Sequence, residues 1–132
     1  MKKKSSEAFL MIMKILLDTN FLIECSKRRV DFFLQLKGSE IFTIQSVAEE
    51  LSAIADGKTK DAKFATAAKN ILGKIKIEPE PEKTEGDADA SLLELSKKNF
   101  VVATQDKELR EKILKAGGRA AILKNNGKIE IF

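Results

Sequence analysis

The sequence predicts an α/β fold: a doubly wound, mostly parallel central sheet flanked by helices in three layers, with a hairpin strand at its carboxyl end. Three observations predict it. Short apolar runs alternate with segments of helical apolar spacing along the whole chain, the pattern of a parallel sheet crossed by helices. Two of the runs, residues 15–17 and 100–103, are apolar without alternation, as in strands covered on both faces. Each of these two also ends in polar residues, Asp18-Thr19-Asn20 and Thr104-Gln105-Asp106, that open a following helix.

Taken in order, residues 15–17 form the first strand and Asp18 falls at its carboxyl end, where open α/β sheets place their ligand sites. A helix capped by Thr19 or Asn20 follows and extends towards Lys37, with a break near Arg29 or Asp31, before Gly38 and Ser39 stop it. Residues 40–44 are a short second strand. Ser46 caps the next helix, 47–54, with Glu49 at a capping-box spacing, and Gly57 ends it. Residues 60–72 repeat apolar side chains at helical spacing, closed by Gly73. A third strand covers 74–78, and the prolines and glycine of 79–86 make a loop. The helix over 87–98 carries acids in its first turn and lysines in its last, matching the helix dipole. Residues 100–104 are a strand, Asp106 opens a helix to Ala116, and Gly117-Gly118 ends it. Residues 119–123 form the next strand, and Asn125-Asn126-Gly127 turns it into 128–132. No repeat or linker divides the chain, so residues 13–132 read as one domain and residues 1–12 as an N-terminal extension, disordered or preceding a true start at Met11 or Met13.

Composition narrows the chemistry. At 132 residues, with 43% hydrophobic and 33% charged side chains, the chain has material for one buried core. No apolar run approaches the roughly 20 residues that span a bilayer. The N-terminal stretch contains Glu7 and lacks a small-residue cleavage site, so the protein is expected in the cytoplasm, without a membrane partner. A single cysteine, Cys25, excludes an internal disulfide and a thiolate metal cluster. The absence of histidine excludes Ser-His-Asp and Cys-His catalysis and histidine-bound zinc. An enzyme built from this chain works with carboxylates, lysines or metal ions. The net charge of +4 is modest, but setting four acids aside in a metal site leaves +8 on the rest, which favours a polyanionic partner.

The carboxylates carry the functional signal. In a parallel sheet, residues just past a strand and in the first turns of the next helix share one rim. Asp18, Glu50, Asp87, Asp89 and Asp106 all fall there. Singly, each is explained as a helix-terminal acid worth about 0.3–1 kcal/mol. Together they repel, with no histidine and no matching arginines, unless a cation lies among them. A hard divalent ion, Mg²⁺ or Mn²⁺, suits such oxygen ligands.

Four blocks in sequence resemble the PIN-domain nucleases: Ile-Leu-Leu-Asp18-Thr-Asn-Phe-Leu-Ile, Ser-Val-Ala-Glu-Glu50-Leu, Gly-Asp-Ala-Asp89-Ala-Ser-Leu-Leu, and Val-Val-Ala-Thr104-Gln-Asp106-Lys-Glu-Leu-Arg. The resemblance runs from Met13 through nearly the whole chain. It implies a PIN-like sheet with an acidic pocket for one or two Mg²⁺ or Mn²⁺ ions, and an endonuclease that cuts RNA by metal-assisted hydrolysis to leave 5′-phosphate and 3′-hydroxyl ends. Asp18, Glu50, Asp89 and Asp106 fall on the family's acidic positions, with Asp87 as an additional ligand or a neighbour of the ligands. Glu50 is preferred to Glu49 because the family's acid precedes the apolar residue matched by Leu51, and Asp89 to Asp87 because it precedes Ala-x-Leu. Thr19 and Thr104 match supporting hydroxyl positions, and Asn20 completes the common Asp-Thr-Asn variant.

Lys27, Arg28 and Arg29, with Lys107 and Arg110 beside Asp106, are the expected RNA contacts, although a plain solvated face accounts for either group equally well. Without Trp or Tyr, base stacking would fall to Phe. The resemblance leaves two roles open. One is an RNA-processing enzyme of the rRNA-maturation type, with a ribonucleoprotein partner, to which residues 104–110 lie nearer. The other is a toxin of the VapC type held by an antitoxin. Family members often pair, so a homodimer is among the expected assemblies. A catalytically silent RNA-binding module is the non-enzyme alternative. A receiver-like domain fits poorly, since its middle strand would need a phosphoacceptor Asp where this chain has Glu78-Pro79.

Overall fold

The computed structural model describes residues 12–132, so the expected extension lies, except for Ile12, outside the described residues. The chain runs β1 (Lys14–Leu17), α1 (Thr19–Lys27), α2 (Phe32–Gln35), β2 (Glu40–Ile44), α3 (Gln45–Ala55), α4 (Ala62–Asn70), β3 (Lys76–Glu78), α5 (Ala88–Ser96), β4 (Phe100–Ala103), α6 (Lys107–Lys115), β5 (Arg119–Leu123) and β6 (Ile129–Ile131). Short 3₁₀ turns occupy Leu72–Lys74 and Glu82–Thr84.

The six strands form one sheet in the order β3-β2-β1-β4-β5-β6. All neighbours are parallel except β5 and β6, which the Gly127 turn joins as an antiparallel hairpin. From β1 the chain winds outward to β3, then returns to lay β4 on the other side of β1. The order therefore reverses between β1 and β4, and an open α/β sheet has its ligand crevice at such a point. Leu17 is paired with Ala103, which sets the next residues, Asp18 and Thr104, side by side at that reversal.

The middle of the sheet is apolar because helices cover it. Ile15, Leu16, Leu17, Val102 and Ala103 are wholly buried. Helical spacing supplies the covering side chains: Val47 and Leu51 on α3, Leu92 and Leu95 on α5, Leu109 and Ile113 on α6, all at most 3% exposed. Each such Leu or Ile contributes about 1.5–3 kcal/mol by leaving water. Phe42 and Phe100 flank β1 on neighbouring strands and meet edge to face at 5.2 Å.

The helix starts differ from expectation in instructive ways. Asp18, not Thr19 or Asn20, caps α1, accepting the Thr19 amide at 2.7 Å. Thr19 and Asn20 are occupied elsewhere: the Thr19 hydroxyl donates to Glu50 at 2.6 Å and the Asn20 side-chain oxygen accepts the Gln105 amide at 2.9 Å. The first long helix breaks as expected, α1 ending at Lys27, Arg29 turning at φ +54 and Asp31 capping α2. The Ser46–Glu49 capping box does not form. The Ser46 amide and hydroxyl donate to Glu80, and α3 begins two residues earlier, at Gln45. A full carboxylate reaching back from the loop after β3 satisfies the α3 terminus, which no local pattern announced. Two further contacts pin the hairpin: Arg28 donates to the carbonyls of Lys124 and Asn125 (2.8 and 2.7 Å), and Gln35 brackets Gly127 and Ile129 (both 2.8 Å). Among the described residues, no helix is long and apolar enough to cross a membrane.

Gly118 marks the tightest approach, since a Cβ there would lie 3.0 Å from Ile113 Cγ2 and 3.2 Å from the Ser96 carbonyl oxygen. Gly118→Ala is expected to cost about 1–3 kcal/mol through overpacking. Urea unfolding checks this: the midpoint should fall with the slope unchanged. An unaltered midpoint would show that α5 and α6 yield freely.

Candidate active site

At the reversal point lies a hollow of about 360 Å³ whose walls include Asp18, Glu24, Glu50, Asp61, Asp89 and Asp106, with Thr19, Asn20 and Lys27. The four acids Asp18, Glu50, Asp89 and Asp106 come from four different elements. Asp18 ends β1 and caps α1, Glu50 lies in the second turn of α3, Asp89 in the first turn of α5, and Asp106 caps α6. Helices that start at the carboxyl ends of parallel strands bring these separated residues to one rim.

Asp18 sits deepest, 4% exposed. One carboxylate oxygen accepts the Thr19 amide and the other accepts the Thr104 hydroxyl, each at 2.7 Å. Thr104, wholly buried, in turn accepts the Asp106 amide at 3.1 Å. One hydroxyl thus fixes the two acids on either side of the reversal. Glu50 is steered by the Thr19 hydroxyl, whereas Glu49 meets the Gln45 side chain at 3.3 Å. Only Glu50 of that pair lines the hollow. Asp87 spends its carboxylate on capping α5 through the Ala90 amide at 3.1 Å, and Asp89 is the one of its pair that faces Asp18 across the hollow.

The electrostatics are uncompensated. Burial pushes the Asp18 carboxyl up to about 6; the hydrogen bonds from Thr104 and Thr19 pull the other way, and the charges of Asp89 and Glu50 add to the rise. Asp89 is raised too, by burial first and then by Asp106, Asp87 and Glu50, against a smaller pull from Lys112. Of the ion pairs among the described residues, none involves Asp18, Glu50, Asp89 or Asp106. Lys27 is the sole cation on the walls, and Asp61 holds it at 2.9 Å.

Hard oxygen donors that repel one another fit a divalent cation of the Mg²⁺ or Mn²⁺ kind. Among the described residues no three acids are yet drawn tightly enough together to enclose an ion.

The expected cationic contacts separate. Lys27 lines the hollow beside Asp61; Arg28 is committed to the β5–β6 turn; Arg29, Lys107 and Arg110 stand outside the hollow's walls. Glu24, Asp61 and Glu80 were not singled out from the sequence. Glu24 was within reach, since it lies four residues beyond Asn20 on one face of α1. Asp61 arrives only because α4 packs on α1, a tertiary event with no local signature.

The chain belongs to the PIN-like domain family, whose model matches residues 15–126. It is 31% identical over 126 residues, covering 90% of this chain and 96% of the relative, to a protein of Methanocaldococcus jannaschii named Ribonuclease VapC4. In fold it is similar to the crystal structure of PAE2754 from Pyrobaculum aerophilum, at a TM-score of 0.55 and 21% identity over 76% of this chain and 79% of that one.

Asp18 makes stability depend on pH in a definite direction. Its folded value, about 6, stands above the ordinary 3.8, so between these values the folded chain holds a proton the unfolded chain has lost. Ion-free stability therefore falls as pH rises through this window, by up to about 3 kcal/mol from this group. Asp18→Asn should be more stable than wild type at pH 7 in chelator, with the advantage fading near pH 4. Urea unfolding across that range reads it, and a difference independent of pH would contradict the assignment.

Proposed function

We propose that this protein is a divalent-metal-dependent endoribonuclease of the VapC type, a cytoplasmic enzyme restrained by an antitoxin. One observation carries the proposal: carboxylates from four separate elements line one hollow at the sheet's reversal point, and none of the four is in an ion pair among the described residues. The relative named Ribonuclease VapC4 supports RNA as substrate, and supports the toxin role over the processing role that residues 104–110 suggested.

Asp18, Glu50, Asp89 and Asp106 would hold Mg²⁺ or Mn²⁺, with Asp87 two residues from Asp89 on the same rim. When bound, such an ion supplies Lewis acidity towards a water and the phosphate oxygens. The chain's own residues supply geometry. Thr104 and the Thr19 amide fix both oxygens of Asp18, and the Thr19 hydroxyl aims Glu50. Asn20 holds the Gln105 amide and so steadies the turn that delivers Asp106. Water is orientated by carboxylates, so the lack of histidine is no obstacle to hydrolysis. Lys27, at the hollow's wall, offers an ammonium to the RNA backbone.

The test is cleavage of single-stranded RNA with Mn²⁺ or Mg²⁺ by wild type, Asp18→Asn and Asp106→Asn. Each substitution removes a ligand charge and should lower the rate by at least about 100-fold, the upper range for mere neighbours of metal ligands. The fold should persist, as read by circular dichroism, and wild-type products should carry 5′-phosphates. Equal cutting by all three proteins would overturn the reading.

A further inference from the structure

The loop after β3 holds a carboxylate that the preceding account leaves without a functional task. Among the described residues Glu80 meets no cation; neutral donors surround it. Its two oxygens face different elements. Oε2 accepts the Ser46 amide at 2.8 Å and the Ser46 hydroxyl at 2.7 Å, both on the first turn of α3. Oε1, also 2.8 Å from the Ser46 hydroxyl, accepts the Ser91 hydroxyl at 2.8 Å and the Gly86 amide at 3.1 Å, on α5 and the turn before it. Burial alone would raise this carboxyl, but the donors from Ser46, Ser91 and Gly86 outweigh it and hold it below the ordinary value, so it stays charged.

The elements bridged are the two that carry Glu50 and Asp89. Glu50 stands one turn beyond Ser46, on the same face of α3. Asp89 stands two residues before Ser91, in the first turn of α5. Between the two helix starts lies a depression walled by Ser46 and Glu50 on one side and by Gly86 and Asp89 on the other. Ser46 and Ser91 are both buried, and although the Ser91 hydroxyl also lies 3.0 Å from the Thr84 carbonyl oxygen and 2.9 Å from its hydroxyl, Glu80 is the charged acceptor among its partners. Hydrogen bonds to a charged acceptor are roughly twice as strong as neutral ones. They are therefore suited to holding two mutually repelling acids at a set separation.

We propose that Glu80 is a positioning residue that sets the spacing between Glu50 and Asp89 by bridging the first turns of α3 and α5. This rests on the ion-binding reading of the hollow. Each arm of the bridge can be weakened separately: Ser46→Ala removes the α3 hydroxyl and leaves the amide, and Ser91→Ala removes the α5 hydroxyl and leaves the Gly86 amide.

The experiment measures Mn²⁺ affinity of the full chain by electron paramagnetic resonance of the free ion. It compares each serine variant alone and combined with Glu50→Gln or Asp89→Asn. Each serine variant is expected to weaken Mn²⁺ binding about 10-fold, as loss of a ligand's supporting partner does. Either serine variant should add little once Glu50 or Asp89 is neutral, because a single remaining acid has no spacing for the bridge to keep. Losses that multiply alike in every background, or wild-type affinity in both serine variants, would overturn the assignment. Glu80→Gln guards against simple unfolding, because it should lose Mn²⁺ affinity while its urea midpoint shows the chain fully folded in the assay. Full affinity in that variant would equally overturn the proposal. A wild type that binds no Mn²⁺ would instead remove the ion reading, and this assignment with it.

Discussion

The hydroxyl of Thr104 joins the two halves of the rim. It donates to Asp18 at 2.7 Å and accepts the Asp106 amide at 3.1 Å, so one buried oxygen links the end of β1 to the start of α6. The parallel pairing of Leu17 with Ala103 sets up this contact, since the next residues of the two strands then lie side by side. Asp18 in turn donates its own amide to the Ala103 carbonyl at 2.9 Å, extending the ladder one step past the strands. The carboxylate is thereby held rigidly where water scarcely reaches it. A Val at 104 would fill the same volume but leave one Asp18 oxygen and the Asp106 amide without their partner, and a buried unpaired acceptor costs more than a hydrogen bond gains.

Rigidity of this kind works against the stability of the ion-free protein. Acids on a surface swing apart to relieve repulsion; Asp18, held at both oxygens, cannot. Its upward shift to about 6 comes first from burial, with the charges of Asp89 and Glu50 adding to the rise that the Thr104 and Thr19 hydrogen bonds oppose. Neutral donors hold the acids in place: Thr19 for Glu50, Thr104 for Asp18, and Ser46 and Ser91 for Glu80. A lysine or arginine in their place would cancel the charge that a divalent cation is to meet. Hydroxyls orient a carboxylate and leave its charge intact, which is why threonines and serines recur around this hollow.

Much of this was legible in the sequence because it was local. The apolar run ending at Asp18 announced a buried strand and its crevice, and the strands at Glu40–Ile44 and Arg119–Leu123 lie where alternation and flanking turns put them. The four acids could be assembled because a parallel sheet maps strand ends onto one rim. What stayed hidden was tertiary. The cap of α3 comes from Glu80, 34 residues away, and nothing near Ser46 distinguishes that arrangement from the capping box its sequence imitates. Arg28 sits in a basic triplet that reads as a nucleic-acid contact, yet its guanidinium closes on the carbonyls of a hairpin nearly a hundred positions later. Charge patterns report which groups are polar, not which partner folding will offer them.

The placement of Lys27 constrains how a polyanion can approach. Six carboxylates and one ammonium line the hollow, and that ammonium already faces Asp61 at 2.9 Å. An RNA phosphate brought to such a surface meets repulsion from the acids before any attraction. A divalent cation among the acids would cancel part of that charge and offer the phosphate oxygens a direct contact, with Lys27 as a flanking one. On the proposed reading, ion and RNA therefore bind with positive coupling, and thermodynamic reciprocity requires RNA to tighten the ion as much as the ion tightens RNA.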